Sequence, residues 1–308
     1  MRGILPNLPH LLKTSSEPGS SVPYLFLTLV LRSILTRLIY DQKYPIVNEN
    51  MSDCQMGGRK NKSSKNNIFL VNGLIHEAVK SKNVKPICLQ ICDYRQMFDG
   101  IDLREAISDL YDVGVVDDSL KLLFDANNDV QMAVKTPSGL TERQVITNSV
   151  LQGDTFGSLM ASVQVDAIGK ECMDSGHYYL YKNKLPIGFL GMVDDIVGIT
   201  EAGMKAQQMN AFINIKTAEK SLQFGVKKCK SMLVGKCLEK VINSDLLVDE
   251  WSVDYIEDKQ TGDVNLVENY CGLTEMGKTD EQKYLGFVLS STSDNIANIR
   301  EVKKNQLE

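Results

Sequence analysis

Two adjacent carboxylates, Asp194 and Asp195, lie between two apolar runs, residues 185–193 and 196–200. Runs so poor in charge read as β-strands, which places the acids at the tip of a hairpin. An acid pair at a tight turn suits hard divalent cations such as Mg²⁺, which take oxygen ligands and act on phosphates. The chain carries its own control. Val116-Asp117-Asp118 repeats the tripeptide but runs into Ser119-Leu120-Lys121-Leu122, the start of a helix, where Asp is a favoured cap. Most Asp pairs are solvated turns or caps, so the meaning of Asp194-Asp195 has to come from partners elsewhere.

Composition narrows the setting. A chain of 308 residues with 43% hydrophobic content can bury a core and has the length of one or two domains. Its longest apolar run, residues 22–31, is closed by Arg32 and falls short of the roughly 20 residues of a membrane span. No charged region, apolar stretch and cleavage site follow one another at the N-terminus, so a signal peptide is not expected. The seven cysteines, an odd number without a Cys-x-x-Cys pair, read as reduced thiols of an intracellular protein, cytoplasmic or nuclear. His10, His76 and His177 are far apart, which argues against a histidine-based zinc site. A net charge of -5 argues against a nucleic-acid partner on average, but the bases are clustered: residues 59–65 hold Arg59, Lys60, Lys62 and Lys65 and no acid.

Residues 1–31, rich in proline and serine, read as a turn-rich leader, and residues 25–39 as a helix with Leu35, Leu38 and Ile39 on one face. The loop at 52–64 combines Gly57 and Gly58 with clustered cations; it could fold over a phosphate chain or be a solvated basic loop. An amphipathic helix follows at 67–80, with Ile68, Val71, Leu74, Ile75 and Val79 on one side. Residues 86–93 form an apolar strand ending in Asp93. Asp102, with Glu105 three positions on, opens a helix carried by Ile107, Leu110 and Tyr111. Residues 118–127 form another, and 130–135 and 144–148 a hairpin turning at 137–139. Gln152-Gly153-Asp154 opens a helix on which Leu159, Val163 and Ala167 share a face. There the glycine either admits a flat ligand or marks an ordinary turn. A helix at 202–222, a basic turn at 225–230 into a strand, a hairpin joining 251–256 to 264–270, and a strand at 283–289 complete the reading.

In this order the pieces resemble the reverse transcriptase domain of LINE-type non-LTR retrotransposons. Asp93-Tyr94-Arg95-Gln96-Met97-Phe98-Asp99 is similar to the first palm motif, Gln152-Gly153-Asp154 to the second, and Met192-Val193-Asp194-Asp195 to the x-x-Asp-Asp motif. Residues 55–63 resemble the fingers segment Gln-x-Gly-x-Arg-x-Gly-Arg-Ser, with Asn61 in place of its last glycine. Lys228-Cys229-Lys230 resembles the fourth palm motif and Tyr284-Leu285-Gly286 the primer grip. Met192 departs from the aromatic residue common before the acid pair. Group II intron maturases and telomerases stay open as alternatives, with the fingers segment favouring LINE-type elements.

The resemblance implies an α+β right-hand polymerase: a palm built on an antiparallel sheet with helices on one face, a fingers subdomain, and a thumb largely missing. Fingers would span about 32–86 and 101–145, palm about 87–100 and 146–240, and palm end with primer grip about 283–292. Residues 301–308 would begin a truncated thumb or connector. It also implies RNA-directed DNA synthesis, the transfer of deoxynucleotides from their triphosphates to a DNA primer on an RNA template, with no membrane partner. Asp93, Asp194 and Asp195 would be catalytic and, with the Tyr94 carbonyl, would hold two Mg²⁺ ions about 4 Å apart, Mn²⁺ substituting. Arg59 and Lys60 would hold the triphosphate, Phe98 would exclude a ribose 2′-hydroxyl, and Gln152 and Gly153 would line the nascent base pair. Lys228, with Lys230 as rival, would serve the pyrophosphate. The alternatives are a truncated, inactive remnant that binds nucleic acid, and an acidic interaction protein whose Asp pairs are solvated turns.

Overall fold

The computed structural model describes residues 21–80, 85–128, 130–133, 135–136, 139–146, 150, 154–225, 228–235, 255–257, 264–266, 274–275, 281–285 and 287–290. Helix α1 (Ser21–Asn50) leads through a loop to α2 (Ser64–Lys80). Strand β1 (Ile87–Asp93) precedes one helical turn, α3 (Met97–Gly100), then α4 (Leu103–Asp112) and α5 (Ser119–Asn127). Strands β2 (Val130–Met132), β3 (Lys135–Thr136), β4 (Gly139–Leu140) and β5 (Gln144–Ile146) form two nested hairpins. Next come α6 (Thr155–Asp174), the hairpin β6 (Tyr179–Tyr181) and β7 (Leu185–Ile187), β8 (Phe189–Met192), β9 (Asp195–Glu201), α7 (Met204–Glu219) and β10 (Lys230–Val234). The remaining strands are β11 (Tyr255–Glu257) paired with β12 (Val264–Leu266), β13 (Thr274–Glu275), and β14 (Glu281–Tyr284) paired with β15 (Phe287–Ser290).

Five strands make the main sheet, in the order β13-β10-β1-β9-β8, antiparallel except where β13 joins β10. The sequence of β1, Ile-Cys-Leu-Gln-Ile-Cys-Asp, has no polar face, and a strand without one needs cover on both sides. On one side Cys92 and Ile196 join the larger core with Phe156, Met160, Met209 and Ile213 of α6 and α7. On the other, Ile87, Leu89 and Ile91 pack with Val71, Leu74, Ile75 and Ala78 of α2 and with Tyr179, Ile187, Tyr284 and Leu289. Helices α6 and α7 thus cover one face of the sheet, and α2 with two hairpins covers the other.

Helix α6 runs through the centre, with thirteen buried residues from Phe156 to Cys172, so burial is not confined to the Leu159, Val163, Ala167 face. Asp154 caps it, accepting from the Phe156 N–H at 2.9 Å. Asp102 caps α4 as expected, accepting from the N–H groups of Arg104 and Glu105. Leu110 of α4 is buried, but Tyr111 is 57% exposed. At the control pair, Asp117 rather than Asp118 accepts from the Ser119 N–H, at 3.0 Å, and also pairs with Lys43.

Three boundaries differ from the expectation. Helix α1 runs past both ends of the expected 25–39, from Ser21 to Asn50, with Pro23 in its first turn, where a missing N–H costs nothing. Along it Ile39 is buried whereas Leu38 is 57% exposed. The run 185–193 divides at Gly188, where a Cβ would lie 2.6 Å from the His177 carbonyl, and only its second half enters the main sheet. The run 283–289 is a hairpin, not one strand: Leu285 has φ +51° and Tyr284 pairs with Phe287. Among the described residues no helix is long and apolar enough to cross a membrane.

Candidate active site

Register decides where the acids meet. β1 and β9 place Asp93 directly opposite Asp195, and β8 and β9 close on a turn in which Met192 faces Asp195. By strand alternation Asp93 continues the face of Ile87, Leu89 and Ile91, and Asp195 that of Val197 and Ile199. Both carboxylates leave the sheet on the side of α2, with Asp194 in the turn beside them. Burial first, then the charges of Asp194 and Asp93, push the Asp195 carboxyl up to about 6, and Lys228 offsets part of this.

The segment at 223–225 pairs with the end of β1. Gly225 N–H donates to the Asp93 carbonyl at 2.8 Å, Arg95 N–H to Gln223 at 2.7 Å, and the Tyr94 ring stacks on Phe224 at 4.7 Å. These bonds use the backbone of Asp93 and Arg95 and leave the Tyr94 carbonyl outside the pairing. They also bring Lys228 back, its Nζ 2.6 Å from Asp93 Oδ2. That contact holds the exposed Lys228 ammonium above the usual lysine range.

Three carboxylates from two strands and a turn form the kind of hard-oxygen set that Mg²⁺ or Mn²⁺ takes. Burial is the larger cause of the raised Asp195 carboxyl, and the neighbouring Asp194 and Asp93 charges add to it. Among the described residues no group of three or more His, Cys, Asp or Glu side chains is placed to hold a metal ion, and the Lys228 ammonium occupies Asp93 Oδ2.

The turn is held from outside. Val193 has φ +61°, a left-handed conformation that costs a β-branched residue about 1 to 3 kcal/mol. The buried side chain of Gln55 meets both of its backbone groups: Val193 N–H donates to Oε1 at 2.9 Å and Nε2 donates to the Val193 carbonyl at 3.2 Å. Oε1 also accepts from Gly57 N–H at 2.7 Å. Around it the chain lies along β8, with Gly191 N–H donating to Cys54 at 2.6 Å and Met56 N–H to Gly191 at 2.9 Å. Asn67 Nδ2 donates to the same Gly191 carbonyl and to Tyr284 Oη, each at 3.2 Å.

Arg59 is spent on backbone. Its guanidinium donates to the carbonyls of Asn48, Met51, Ser52 and Gln55, clasping the end of α1 to the loop. Lys60 is exposed, and its N–H bonds Tyr44 Oη. Phe98 is half-buried against the larger core, its carbonyl accepting from Val150 N–H at 3.0 Å. Lys230 begins β10 opposite Ile91. Gln152 and Gly153 lie outside the described residues, but Asp154 of the same motif is bound by Arg32, at 3.6 Å.

The structure therefore brings together Asp93, Tyr94, Asp194, Asp195 and Lys228, and gives Arg59 backbone partners. Gln55 has no expected role in the sequence, where only its place beside Met56 and Gly57 in the 55–63 segment marks it; the structure adds that a Cβ at Gly57 would stand 2.6 Å from Val193 Cγ2.

No protein-family model and no curated protein sequence matches the chain. Among solved structures, apo telomerase of Candida tropicalis truncated from its C-terminal domain is similar, with TM-score 0.51 and 12% identity over 88% of this chain and 46% of that one. Candida tropicalis telomerase bound to a fragment of telomeric RNA gives 0.48 at 10% identity over 75% and 36% of the two chains. Its full apo form gives 0.44 at 12% identity over 76% and 40%. The chain spans less than half the length of these structures. At 12% identity the first likeness speaks for the fold alone, a mixed arrangement of helices and sheet.

Proposed function

We propose that this chain is the fingers and palm of an RNA-directed DNA polymerase of LINE-type retrotransposon ancestry, extending a DNA primer on an RNA template. The observation that carries this reading is the register that sets Asp93 against Asp195 beside a strained turn holding Asp194. It is supported by the reverse-transcriptase-like fold. β1, β8, β9 and β10 would be the palm, and α2 and the β2–β5 hairpins fingers.

Asp93, Asp194 and Asp195, with the Tyr94 carbonyl, would hold two Mg²⁺ or Mn²⁺ ions. Bound metal would activate the primer hydroxyl and stabilise the charge of the leaving pyrophosphate. In the reaction the primer 3′-oxygen bonds the α-phosphorus of a deoxynucleoside triphosphate, the bond to the bridging oxygen breaks, and pyrophosphate departs. Lys228, released from Asp93, would donate a proton to that pyrophosphate or neutralise it. Phe98 would pack under the sugar and exclude a 2′-hydroxyl. With the Arg59 guanidinium on backbone carbonyls, Lys60 is the better placed of the two to meet the triphosphate. Gln152 and Gly153 keep their proposed place at the base pair on the motif alone.

The test is primer extension by the purified chain on an RNA template with deoxynucleotides and Mg²⁺ or Mn²⁺, beside Asp93→Asn and Asp194→Asn. Extension by the parent chain with at least a hundredfold loss in each folded variant is expected (about 10² or more from removing one charge-stabilising group). Full extension by either variant would refute the assignment. Binding of a primer–template without extension would select the non-polymerising alternative.

A further inference from the structure

We propose that Gln55 is a positioning residue for the Asp194 turn: its carboxamide fixes the Val193 peptide groups, and through them the direction in which Asp194 presents its carboxylate. The role rests on the polymerase reading of the site, but the clamp is visible without it. Gln55 is fully buried, and its two functional atoms meet the N–H and the carbonyl of one residue, Val193, across a sequence distance that no local turn explains.

A side-chain amide can do this because it carries a donor and an acceptor side by side, matching the N–H and C=O that flank a single residue. The turn needs such help. Val193 holds φ +61°, a conformation a valine abandons unless its surroundings fix it, and Asp194 is the next residue along. If Val193 relaxed, the peptide plane entering Asp194 would rotate, and the carboxylate would leave the one end of the sheet where Asp93 and Asp195 are held by strand pairing.

Two glycines leave room for the clamp. A Cβ at Gly191 would stand 2.9 Å from Gln55 Nε2, and one at Gly57 would stand 2.8 Å from Gln55 Oε1 and 2.6 Å from Val193 Cγ2. Gly57 N–H moreover donates to Oε1, which fixes the carboxamide's orientation before it reaches the turn. The amide is therefore oriented by its own loop and packed against an edge strand that cannot bear a side chain there. An ordinary buried glutamine filling space would need neither feature.

The proposal predicts separate outcomes for position and fold. Gln55→Met keeps the length of the side chain and removes both hydrogen bonds. In the full chain, amide exchange at Val193 is expected to be slow for the parent protein and at least about tenfold faster in folded Gln55→Met. Mn²⁺ affinity, followed by electron paramagnetic resonance, should fall by about tenfold or more, the usual cost of losing a residue that orients a ligand. In primer extension the loss should fall on kcat, with KM for the nucleotide changed less than about twofold. Gln55→Glu, which retains the acceptor for Val193 and Gly57 but not the donor, should fall between the two. A folded Gln55→Met with parental Val193 exchange and parental Mn²⁺ affinity would overturn the proposal. So would fast Val193 exchange in the parent chain, a measurement that needs no variant to fold. Failure of the polymerase reading looks different: Mn²⁺ binding indifferent to Asp194→Asn, with Val193 still protected by Gln55.

Discussion

Asp195 stands half-buried opposite Asp93 and next to Asp194, and its carboxyl is pushed up to about 6 by burial and by those charges. A carboxyl raised on folding favours the fold while protonated, and that contribution is lost as pH rises from the unfolded value near 4 through 6. Asp195→Asn should therefore stabilise the metal-free chain above pH 6 and leave it unchanged below about pH 4. Because the group is only half-buried, the gain is about 1 kcal/mol, or roughly 1.5 °C in Tm at neutral pH. Thermal melts in chelator at the two pH values check this, and equal melting at neutral pH would count against the acid cluster. A neighbouring residue bears on selectivity instead. Phe98→Ala should raise ribonucleotide incorporation without loss of deoxynucleotide use, and competition between the two substrates measures it. Asp is common at turns and strand ends, so Asp93, Asp194 and Asp195 stood out in the sequence only through the order of the motifs around them. Gln55 and Arg59 stood out less, since what they bind is backbone, and backbone carries no residue signature.

Between elements, the ties are ion pairs and amides drawn from distant parts of the chain. Lys220, just past α7, meets Asp109 of α4 at 2.5 Å and Glu105 at 3.4 Å, and Asp109 is buried. Burial pushes the Asp109 carboxyl up to about 6 even with Lys220 beside it. Lys220→Met removes the partner and leaves a buried carboxylate, a change that typically costs about 3 to 5 kcal/mol. The sign with pH follows from the raised carboxyl: the penalty should be largest above pH 6 and shrink as acid protonates Asp109. Urea melts at pH 7.5 and pH 5 would show it, and a constant difference between the two would argue against the pair. None of this could be read from periodicity. Strands β1, β8 and β9 were legible because apolar runs interrupted by acids admit few readings, and α4 because Asp102 and Glu105 spell a cap. The helix on the second sheet face was legible as a helix but not as cover for β1. Its place follows from the apolarity of both faces of that strand, and a one-dimensional pattern of α2 does not name its partner. The division at Gly188 was hidden for the opposite reason, since the glycine answers to His177 and Met173 across space.

At the scale of the molecule, the main sheet, the two larger cores of the described residues and the loop at 51–63 meet at one end of the sheet, and a ligand bound there reports on all of them. Strands β1 and β9 fix Asp93 and Asp195, β8 and β9 close the Asp194 turn, and the loop at 51–63 steadies it. A divalent cation bound to the native arrangement but not to the unfolded chain stabilises by mass action, by about 2.7 kcal/mol at a hundred times Kd. For a chain of this size that corresponds to a rise of roughly 4 °C in Tm. Mn²⁺ should therefore raise the melting temperature of the parent chain and leave Asp93→Asn and Asp194→Asn unmoved. Lys228 sets the direction of one further change. Because its ammonium sits 2.6 Å from Asp93, a metal must displace it, and Lys228→Ala removes the competitor. That variant should show the Mn²⁺-dependent rise at lower metal concentration than the parent while losing primer extension, since the group proposed to serve pyrophosphate is gone. Tighter metal response with retained extension would strip Lys228 of its chemical role and leave it a placeholder; a weaker metal response would mean that Lys228 orders Asp93 for the metal instead of competing with it.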